Sequence, residues 1–338
     1  MEKLKDTCAI VGVGKSPVGK LPDISSEALS MMAITKSLED AGLAVSDVDG
    51  LIAEKEIGSS AMTWANQIGV AMGMHTVIST DLDTGGATAP ASVQYAVMLI
   101  NSGMCKTVVC FYGDKGVTGT RFGGRSVSEF ETPYGYATPA AYHATAWRRY
   151  MHEYGGDEDT LAAIAMAFRK NAVLNPDARY YQQPMTIEDY KNSRMIVEPL
   201  RLTDICMNSD GAVAVVITSV ERGDSLKKKP IKITGMGHSS SYELFRNHEE
   251  GWIESGPLKA GDQCFDMAGL KREDVDVAEL YDCFTPTVVF ELEGYRFCER
   301  GEAADFVKDG NIEKGGKLPL NTSGGLLSDV YITGWTHI

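Results

Sequence analysis

The segment Ala41-Gly-Leu-Ala-Val-Ser-Asp-Val-Asp49 occurs twice in this chain. Its second copy, Ala268-Gly-Leu-Lys-Arg-Glu-Asp-Val-Asp276, is identical at six of nine positions with no gap. Upstream of the two copies, Ile10-Val-Gly-Val-Gly14 has a counterpart in Ile233-Thr-Gly-Met-Gly237. Because two units recur in the same order, an internal duplication explains them better than the chance similarity of one helix–turn–strand unit. Each half of the chain is therefore predicted to follow a β-α-β-α-β pattern.

The first half alternates apolar segments with helical ones. Ser25 or Ser26 is predicted to cap a helix that ends at Gly42, since serine and glycine are typical of these two helix ends. Its apolar face is predicted to include Leu29, Met32, Ala33 and Leu38, with Met31 and Met32 in the core. A second helix is predicted over Ala91–Asn101, stopped by Gly103. Buried strands are predicted at 8–14, 50–53, 77–82, 107–112 and 212–217.

These elements predict an α/β fold with parallel sheets and helices on their faces. Two such halves side by side would place helices between two sheets. The composition changes at 113–199, where helical stretches predict a large insertion between the strands of one core. The run Lys227–Pro230 marks a boundary, so the predicted halves are 1–228 and 229–338.

Composition and charge exclude several classes of protein. The chain has 338 residues and a net charge of −14, which argues against a general nucleic-acid binder. It contains no apolar run of membrane-spanning length, and its first residues do not resemble a signal peptide. Seven cysteines without CxxC spacing indicate reduced thiols in a cytoplasmic protein rather than a disulfide framework. The histidines show no metal-ligand spacing, so no metal is expected in this chain.

Five motifs spread over nearly the whole chain are Pro133-Tyr-Gly-Tyr-Ala-Thr-Pro-Ala140, Arg148-Arg-Tyr-Met-His-Glu-Tyr154, Ser209-Asp-Gly-Ala212, Tyr281-Asp-Cys-Phe-Thr285 and Asn321-Thr-Ser-Gly-Gly-Leu-Leu-Ser328. In their order they resemble the thiolase superfamily, in its sterol-carrier-protein-type, lipid-transfer-protein-like branch. The resemblance implies a thiolase fold with α/β/α/β/α layers and a helical loop domain at 113–199. It also implies a final helix and strand after the position of Ile338, so the end of the family domain is expected to be missing.

Positions on which thiolysis depends differ from the family pattern. Thiolases carry an acyl-accepting cysteine at the start of a buried helix, where the helix N-terminus favours the thiolate. The resemblance places that position at Gly86, or at Thr84 or Asp83 if the register slips, and none of these is cysteine. The family's Asn/His-Glu/Asp-x-Phe element begins here with Tyr281, and the histidine of its Gly-His-Pro element is replaced by Tyr331.

Two tyrosines in place of this machinery resemble the steroid side-chain aldolases of the branch, which cleave a β-hydroxyacyl-CoA without a covalent intermediate. The resemblance implies that Tyr331 takes the proton of the β-hydroxyl and that Tyr281 protonates the α-carbon or helps hold the enolate, although the roles of base and acid could be reversed. A phenol needs a pKa below its usual value of about 10 to act as a base. The implied oxyanion and CoA-binding residues are Gly85, Gly86, Ser323, Gly324 and Gly325. Supporting candidates are Asp282, Cys206 and His143.

The resemblance also implies substrates and partners. The fitting substrate is a 17-hydroxy steroid with a three-carbon acyl-CoA side chain, and the products are a 17-ketosteroid and propionyl-CoA. No bound cofactor is expected beyond the CoA thioester that serves as substrate. The implied partner is an OB-fold/zinc-ribbon (DUF35) protein or a hydratase subunit, with any zinc in that partner, and the core is expected to be a homodimer.

Other interpretations remain open at this point. The Gly-rich stretch 321–334 could be a surface turn, and Tyr281 and Tyr331 could be ordinary buried tyrosines with satisfied hydroxyls. Cys283 is more typical of a small apolar residue than of a nucleophile. Two other functions are compatible: a thiolase-type acyltransferase that uses another cysteine or free CoA, and a non-catalytic acyl-CoA or lipid-binding subunit.

Overall fold

The computed structural model describes residues 2–55, 62–119, 130, 132–136, 138–240 and 256–338. Part of the predicted insertion, at 120–129, 131 and 137, lies outside these residues, and so does position 137 of the motif 133–140. None of the described helices is long and apolar enough to cross a lipid bilayer.

A six-stranded mixed sheet forms the centre of the described structure. Its spatial order is β3-β2-β4-β7-β1-β8, in which β2 runs parallel to β3 and β4, while β7 runs antiparallel to β4 and β1. A separate two-stranded hairpin is made by β5 and β6. The strands are β1 (Cys8–Lys15), β2 (Gly50–Glu54), β3 (Ile78–Leu82), β4 (Thr107–Lys115), β5 (Met195–Val197), β6 (Leu200–Arg201), β7 (Asp210–Ser219) and β8 (Ile231–Lys232).

The sheet and its surroundings contain eleven α-helices among the described residues. They are α1 (Ser26–Ala41), α2 (Trp64–Ala71), α3 (Thr88–Asn101), α4 (Pro139–Tyr154), α5 (Glu158–Leu174), α6 (Ile187–Lys191), α7 (Val220–Gly223), α8 (Pro257–Ala268), α9 (Thr285–Gly294), α10 (Ala303–Lys308) and α11 (Gly325–Ser328). The described part of 113–199 is therefore largely helical, as the sequence predicts.

Helix α1 shows how local sequence sets an element. Ser25 accepts a hydrogen bond from the Ala28 N–H at the first turn, and Gly42 ends the helix in the left-handed region at φ 74°. The predicted core position of Met32 is wrong, because its side chain is 41% exposed. Met31 is half-buried. The helical period turns position 32 away from the face that buries Leu29 and Ala33.

The duplicated units pack in the same way in both halves. In the first copy, a β-carbon on Gly12 would lie 2.8 Å from Cβ of Ala41 in α1. In the second copy, a β-carbon on Gly235 would lie 3.0 Å from Cβ of Ala268 in α8. Glycine lets an extended segment approach its helix closely in both places. Both helices end at a left-handed glycine followed by a 3₁₀ turn. The internal duplication is therefore visible in three dimensions.

The second half differs from the predicted β-α-β-α-β pattern. Within the described residues it contributes only the two-residue strand β8, which pairs with β1 of the first half. The extended segment at Ala278 forms a single bridge with Leu320. A ladder requires a neighbouring strand along its length, and here the side chain of Asn321 instead bonds both backbone groups of Leu280. The predicted second sheet is not formed by the described residues.

Three apolar clusters pack around this framework. Helices α1 and α2 cover one face of the sheet. On the other face, α3 packs together with Val330, Ile332 and Trp335 of the C-terminal stretch. The third cluster joins α4, α5, α9 and α10 outside the sheet. The stretch 321–335 therefore runs from the third cluster to the second, which places it between α3 and the helical insertion.

Candidate active site

The two tyrosines singled out by the sequence meet in the structure. Their hydroxyl oxygens lie 3.2 Å apart, within hydrogen-bonding distance. Tyr281 lies between the extended segment at Ala278 and the start of α9. Tyr331 follows α11 and forms a backbone bridge with Asn208. Both side chains are half-buried, so two chain segments fifty residues apart place a pair of phenols at one point.

Two glycines make room for the Tyr281 ring. A β-carbon on Gly86 would lie 2.6 Å from Cζ of Tyr281 and 2.9 Å from its hydroxyl oxygen. A β-carbon on Gly334 would lie 3.0 Å from Cδ2 of the same ring. Side-chain atoms essentially cannot approach so closely, and Gly334 also has φ 80°, which disfavours other residues. The phenol therefore occupies the space that a side chain at residue 86 would need.

The predicted oxyanion donors are mostly engaged elsewhere. The Gly85 N–H donates to Oδ1 of Asp83, the Gly324 N–H donates to the Asn321 carbonyl oxygen, and the Gly325 N–H donates to Oγ of Ser323. Gly324 and Gly325 serve packing instead: their β-carbons would clash with Ala172 and with the Asp282 carboxylate. Of the four glycines, only Gly86 lies against a tyrosine of the pair.

Ser323 is held by its own neighbours. Its carbonyl oxygen accepts a hydrogen bond from Nδ2 of Asn175, 3.0 Å away at the end of α5. Its Oγ accepts from Gly325, as described above. The role of Ser323 in the structure is thus to connect the Gly-rich stretch to the helical insertion.

Asp282 is fully buried and accepts two backbone hydrogen bonds from the Gly-rich stretch. The N–H groups of Leu326 and Leu327 lie 2.9 and 3.1 Å from its carboxylate oxygens. Glu291, which no sequence motif marks, accepts the Tyr281 N–H through its Oε2 at 2.9 Å. Burial raises the pKa of Glu291 to about 8. Tyr281 is therefore anchored through its own N–H by Glu291, and the next residue, Asp282, is anchored through its side chain by the Gly-rich stretch.

Burial keeps both phenols protonated. It raises the pKa of Tyr281 and of Tyr331 well above 10, and each hydroxyl also lies near groups whose negative charge would disfavour a phenolate. A base at this site was expected to need a lowered pKa, and the structure has the opposite. Neutral phenols in contact can still accept one proton while passing on another.

Cys206, Cys283 and His143 lie together beside the tyrosines. The Cys206 N–H donates to the Cys283 carbonyl oxygen at 2.9 Å, and Sγ of Cys283 lies 3.8 Å from Nε2 of His143. Burial raises the pKa of Cys283 to about 12, and it also raises that of Cys206. Burial lowers the pKa of His143 to about 4, and its ring stacks on Phe284 at 4.0 Å. These groups are neutral at pH 7, so neither thiol is an activated nucleophile.

A cavity of about 480 Å³ lies between the helical insertion and this site. It reaches Cys206, Asn208 and Ser328, and Asn208 is the backbone neighbour of Tyr331. Its outer part combines two arginines with apolar side chains. These are Arg169, Arg179, Met185, Ile196 and Leu202. Among the described residues, no three metal-ligating side chains converge.

Comparisons with known proteins identify the family of this chain. Residues 238–336 match the family model described as thiolase C-terminal domain-like. A steroid side-chain-cleaving aldolase of Thermomonospora curvata is 38% identical, over 100% of this chain and 90% of the relative. A 17-hydroxy-3-oxo-4-pregnene-20-carboxyl-CoA lyase of Mycobacterium tuberculosis is also 38% identical, over 99% of this chain and 90% of the relative.

Solved structures show the same likeness. The Ltp2-ChsH2(DUF35) aldolase superposes with a TM-score of 0.91 at 36% identity, over 99% of this chain and 88% of that one. An SCP2-thiolase-like protein of Mycobacterium smegmatis, at 20% identity and a TM-score of 0.76, shares the fold. The architecture is thus a thiolase fold. The chain belongs to the thiolase superfamily, in the family that contains the steroid side-chain-cleaving aldolases.

Proposed function

We propose that this protein is a carbon–carbon lyase that cleaves a β-hydroxyacyl-CoA by a retro-aldol reaction. The observation that carries the proposal is the contact between Gly86 and Tyr281. At the position assigned to the thiolase nucleophile there is no side chain, and a phenol fills the space that one would need. A covalent acyl-enzyme at residue 86 is therefore incompatible with this site, whereas proton transfer through two phenols is compatible with it.

In the proposed reaction, the substrate β-hydroxyl gives its proton to the Tyr331 oxygen while Tyr331 passes its own proton to Tyr281. The 3.2 Å contact between the two hydroxyls supports this transfer. As the Cα–Cβ bond breaks, its electron pair goes to the α-carbon and the β-carbon becomes a ketone. As Tyr281 accepts the proton of Tyr331, it releases its own proton to the α-carbon, so neither phenol carries two protons at any stage. Each phenol ends neutral, so the raised pKa values are suited to the reaction.

The thioester oxygen carries negative charge in the enolate, and Gly86 supports its stabilisation. Residues 86 and 87 precede α3, whose 14 residues direct the positive end of the helix dipole toward this point. The Gly86 N–H is the proposed donor to the enolate oxygen. This narrows the set of donors suggested by the sequence, because Gly85, Gly324 and Gly325 donate to other acceptors.

The substrate is proposed to be a 17-hydroxy steroid with a three-carbon acyl-CoA side chain, and the products a 17-ketosteroid and propionyl-CoA. Support comes from the two 38% identical relatives, one named for steroid side-chain cleavage and the other for 17-hydroxy-3-oxo-4-pregnene-20-carboxyl-CoA. The 480 Å³ cavity suits an acyl-CoA, since its arginines complement phosphates and its apolar side chains complement the uncharged part of the ligand.

The proposal extends to assembly and location. The solved structure that resembles this chain over 99% of its length is named as an aldolase of two components, Ltp2 and ChsH2(DUF35). We expect this chain to act with a DUF35 protein or a hydratase subunit that contains one, with zinc in that partner, and to form a homodimer. Seven free cysteines are consistent with a reducing cytoplasm.

The decisive experiment is turnover in D₂O with the DUF35 partner present and free CoA absent. A retro-aldol reaction gives propionyl-CoA with one deuterium at its α-carbon and an equimolar 17-ketosteroid, both measured by mass spectrometry. A thiolase would form product only when free CoA is added. A binding subunit would form none, and either of these two results would overturn the proposal.

A further inference from the structure

His337 lies between two carboxylates beneath the tyrosine pair. Its Nε2 is 3.1 Å from Oδ1 of Asp282, and its Nδ1 is 3.5 Å from Oε2 of Glu279. The His337 side chain is only 8% exposed, and that of Asp282 is 0% exposed. Buried carboxylates require compensation by a cation or by hydrogen bonds. His337 is the cationic group placed to provide it.

Both carboxylates also bind the Gly-rich stretch. Glu279 accepts the N–H and the hydroxyl of Thr322, each at 2.9 Å, through its Oε1. Asp282 accepts the N–H groups of Leu326 and Leu327 through its two oxygens. The imidazole thus joins two acids that hold opposite ends of the segment 322–327. Without its charge, the two acids would repel each other, and Asp282 would keep only its two backbone hydrogen bonds.

The same contacts control the position of the tyrosines. Tyr281 lies in sequence between Glu279 and Asp282, while Tyr331 follows the segment 322–327. The His337 N–H donates to the Gly334 carbonyl oxygen at 3.1 Å, and Gly334 contacts the Tyr281 ring. His337 is therefore connected to the segment that carries each phenol, although it does not touch either hydroxyl in any contact found among the described residues.

We propose that His337 is a positioning residue whose imidazolium charge holds Tyr281 and Tyr331 at the separation that their proton transfer requires. The proposal rests on the lyase function proposed above. It assigns a role to a residue that no thiolase-like motif in the sequence marks. The rate of catalysis then depends on whether the His337 imidazole is protonated, although His337 does not react with the substrate.

The charged groups around His337 favour its protonated form. Burial opposes the charge, but the hydrogen bond to Asp282 and the nearby carboxylate of Glu279 raise the pKa of His337 to about 9. Two further acids lie near it, Glu291 of α9 and Asp329 after α11. The pKa of Glu291 is raised to about 8 by burial, so its ionisation at higher pH adds negative charge and opposes loss of the His337 proton. At pH 7 the imidazole is charged, and it loses its charge as the pH rises through about 9.

The test compares the pH dependence of kcat for the wild type and for His337→Gln, each with the DUF35 partner. Glutamine retains a donor toward Asp282 but has no charge. We expect kcat of the variant at pH 7.5 to fall about 100-fold, the size of effect seen for small misplacement of reacting groups, with KM little changed. The decline in wild-type kcat around pH 9 should be absent from the variant. His75→Gln, at an exposed histidine, should match the wild type.

If His337→Gln fails to fold, the proposal is tested on the wild type instead, by following the pH titration of its histidine side chains with NMR. A His337 midpoint near 9 that coincides with the decline in kcat supports the proposal. A midpoint near the ordinary value of 6.5 overturns it, as does a variant that retains both the wild-type kcat and its alkaline decline. Loss of activity in the wild type itself would instead refute the lyase function, so the two failures are distinguishable.

Discussion

A β-carbon on Gly86 would lie 2.6 Å from Cζ of Tyr281, so a side chain at residue 86 and the phenol exclude each other. Gly86→Ala should therefore displace Tyr281 and reduce kcat strongly, and overpacking should lower the free energy of unfolding by about 1–3 kcal/mol. Urea denaturation and steady-state kinetics check both effects.

Two further variants test whether the effect of Gly86→Ala comes from its clash with Tyr281. Gly256→Ala is a matched control, because a β-carbon there has no atom of the described residues within 4 Å. Combining Gly86→Ala with Tyr281→Ala should destabilise the fold by less than the sum of the two single variants, since the smaller residue removes the clash. A fully active Gly86→Ala enzyme would contradict the geometry.

Removing either phenolic oxygen should interrupt the proposed proton transfer. Tyr281→Phe and Tyr331→Phe should each reduce kcat by about 10²–10⁴-fold, the usual contribution of a general acid or base. Since each hydroxyl bonds to the other, the double variant should be little worse than either single one. Tyr134→Phe, at an 85% exposed residue, is the control. Additive losses in the double variant would show that the two phenols act independently.

The thiols should be dispensable for turnover. Burial raises the pKa of Cys283 to about 12 and raises that of Cys206 as well, so neither is a thiolate at pH 7. Cys206→Ala and Cys283→Ala should retain wild-type kcat within a few-fold, and iodoacetamide should leave the enzyme active. Complete inactivation by Cys206→Ala with an intact fold would favour covalent, thiolase-type chemistry.

Buried Glu54 should make stability depend on pH. It accepts a hydrogen bond from Nε1 of Trp335 at 2.6 Å, and burial raises its pKa from 4.5 to about 8. The folded state therefore binds an extra proton between these values, so the free energy of unfolding falls as the pH rises from 4.5 to 8. Glu54→Gln should flatten that dependence in urea denaturation. Glu39→Gln, at an exposed site, should leave it unchanged, and equal slopes for wild type and Glu54→Gln would contradict the assignment.

Much of the fold was predictable because its signals are local. The Ser25 cap and the left-handed Gly42 each follow from neighbouring residues. Because the same segments recur at 233–237 and 268–276, the β-α-β-α-β pattern of the first half was also predicted for the second half. Among the described residues, the predicted pairing in that half is reduced to a bridge between Ala278 and Leu320, and the side chain of Asn321 bonds the backbone of Leu280, a contact that no strand pattern indicates.

The site was predictable only in part. The tyrosines were found through their replacement of family residues, but their mutual distance depends on the whole fold. The glycines of the stretch 321–334 were taken for backbone donors, whereas Gly324 and Gly325 admit Ala172 and Asp282. His337 was missed because its two acids lie more than fifty residues away in sequence.

The backbone around Tyr281 is held by side chains, whereas a sheet strand is held by other backbone. Asn321 bonds Leu280, and Glu291 bonds the N–H of Tyr281. A sheet ladder is insensitive to side-chain identity, since every residue but proline offers the same N–H and C=O. Here each bond depends on one particular amino acid. Single substitutions at these side chains can therefore alter the backbone around Tyr281 while the six-stranded sheet remains intact.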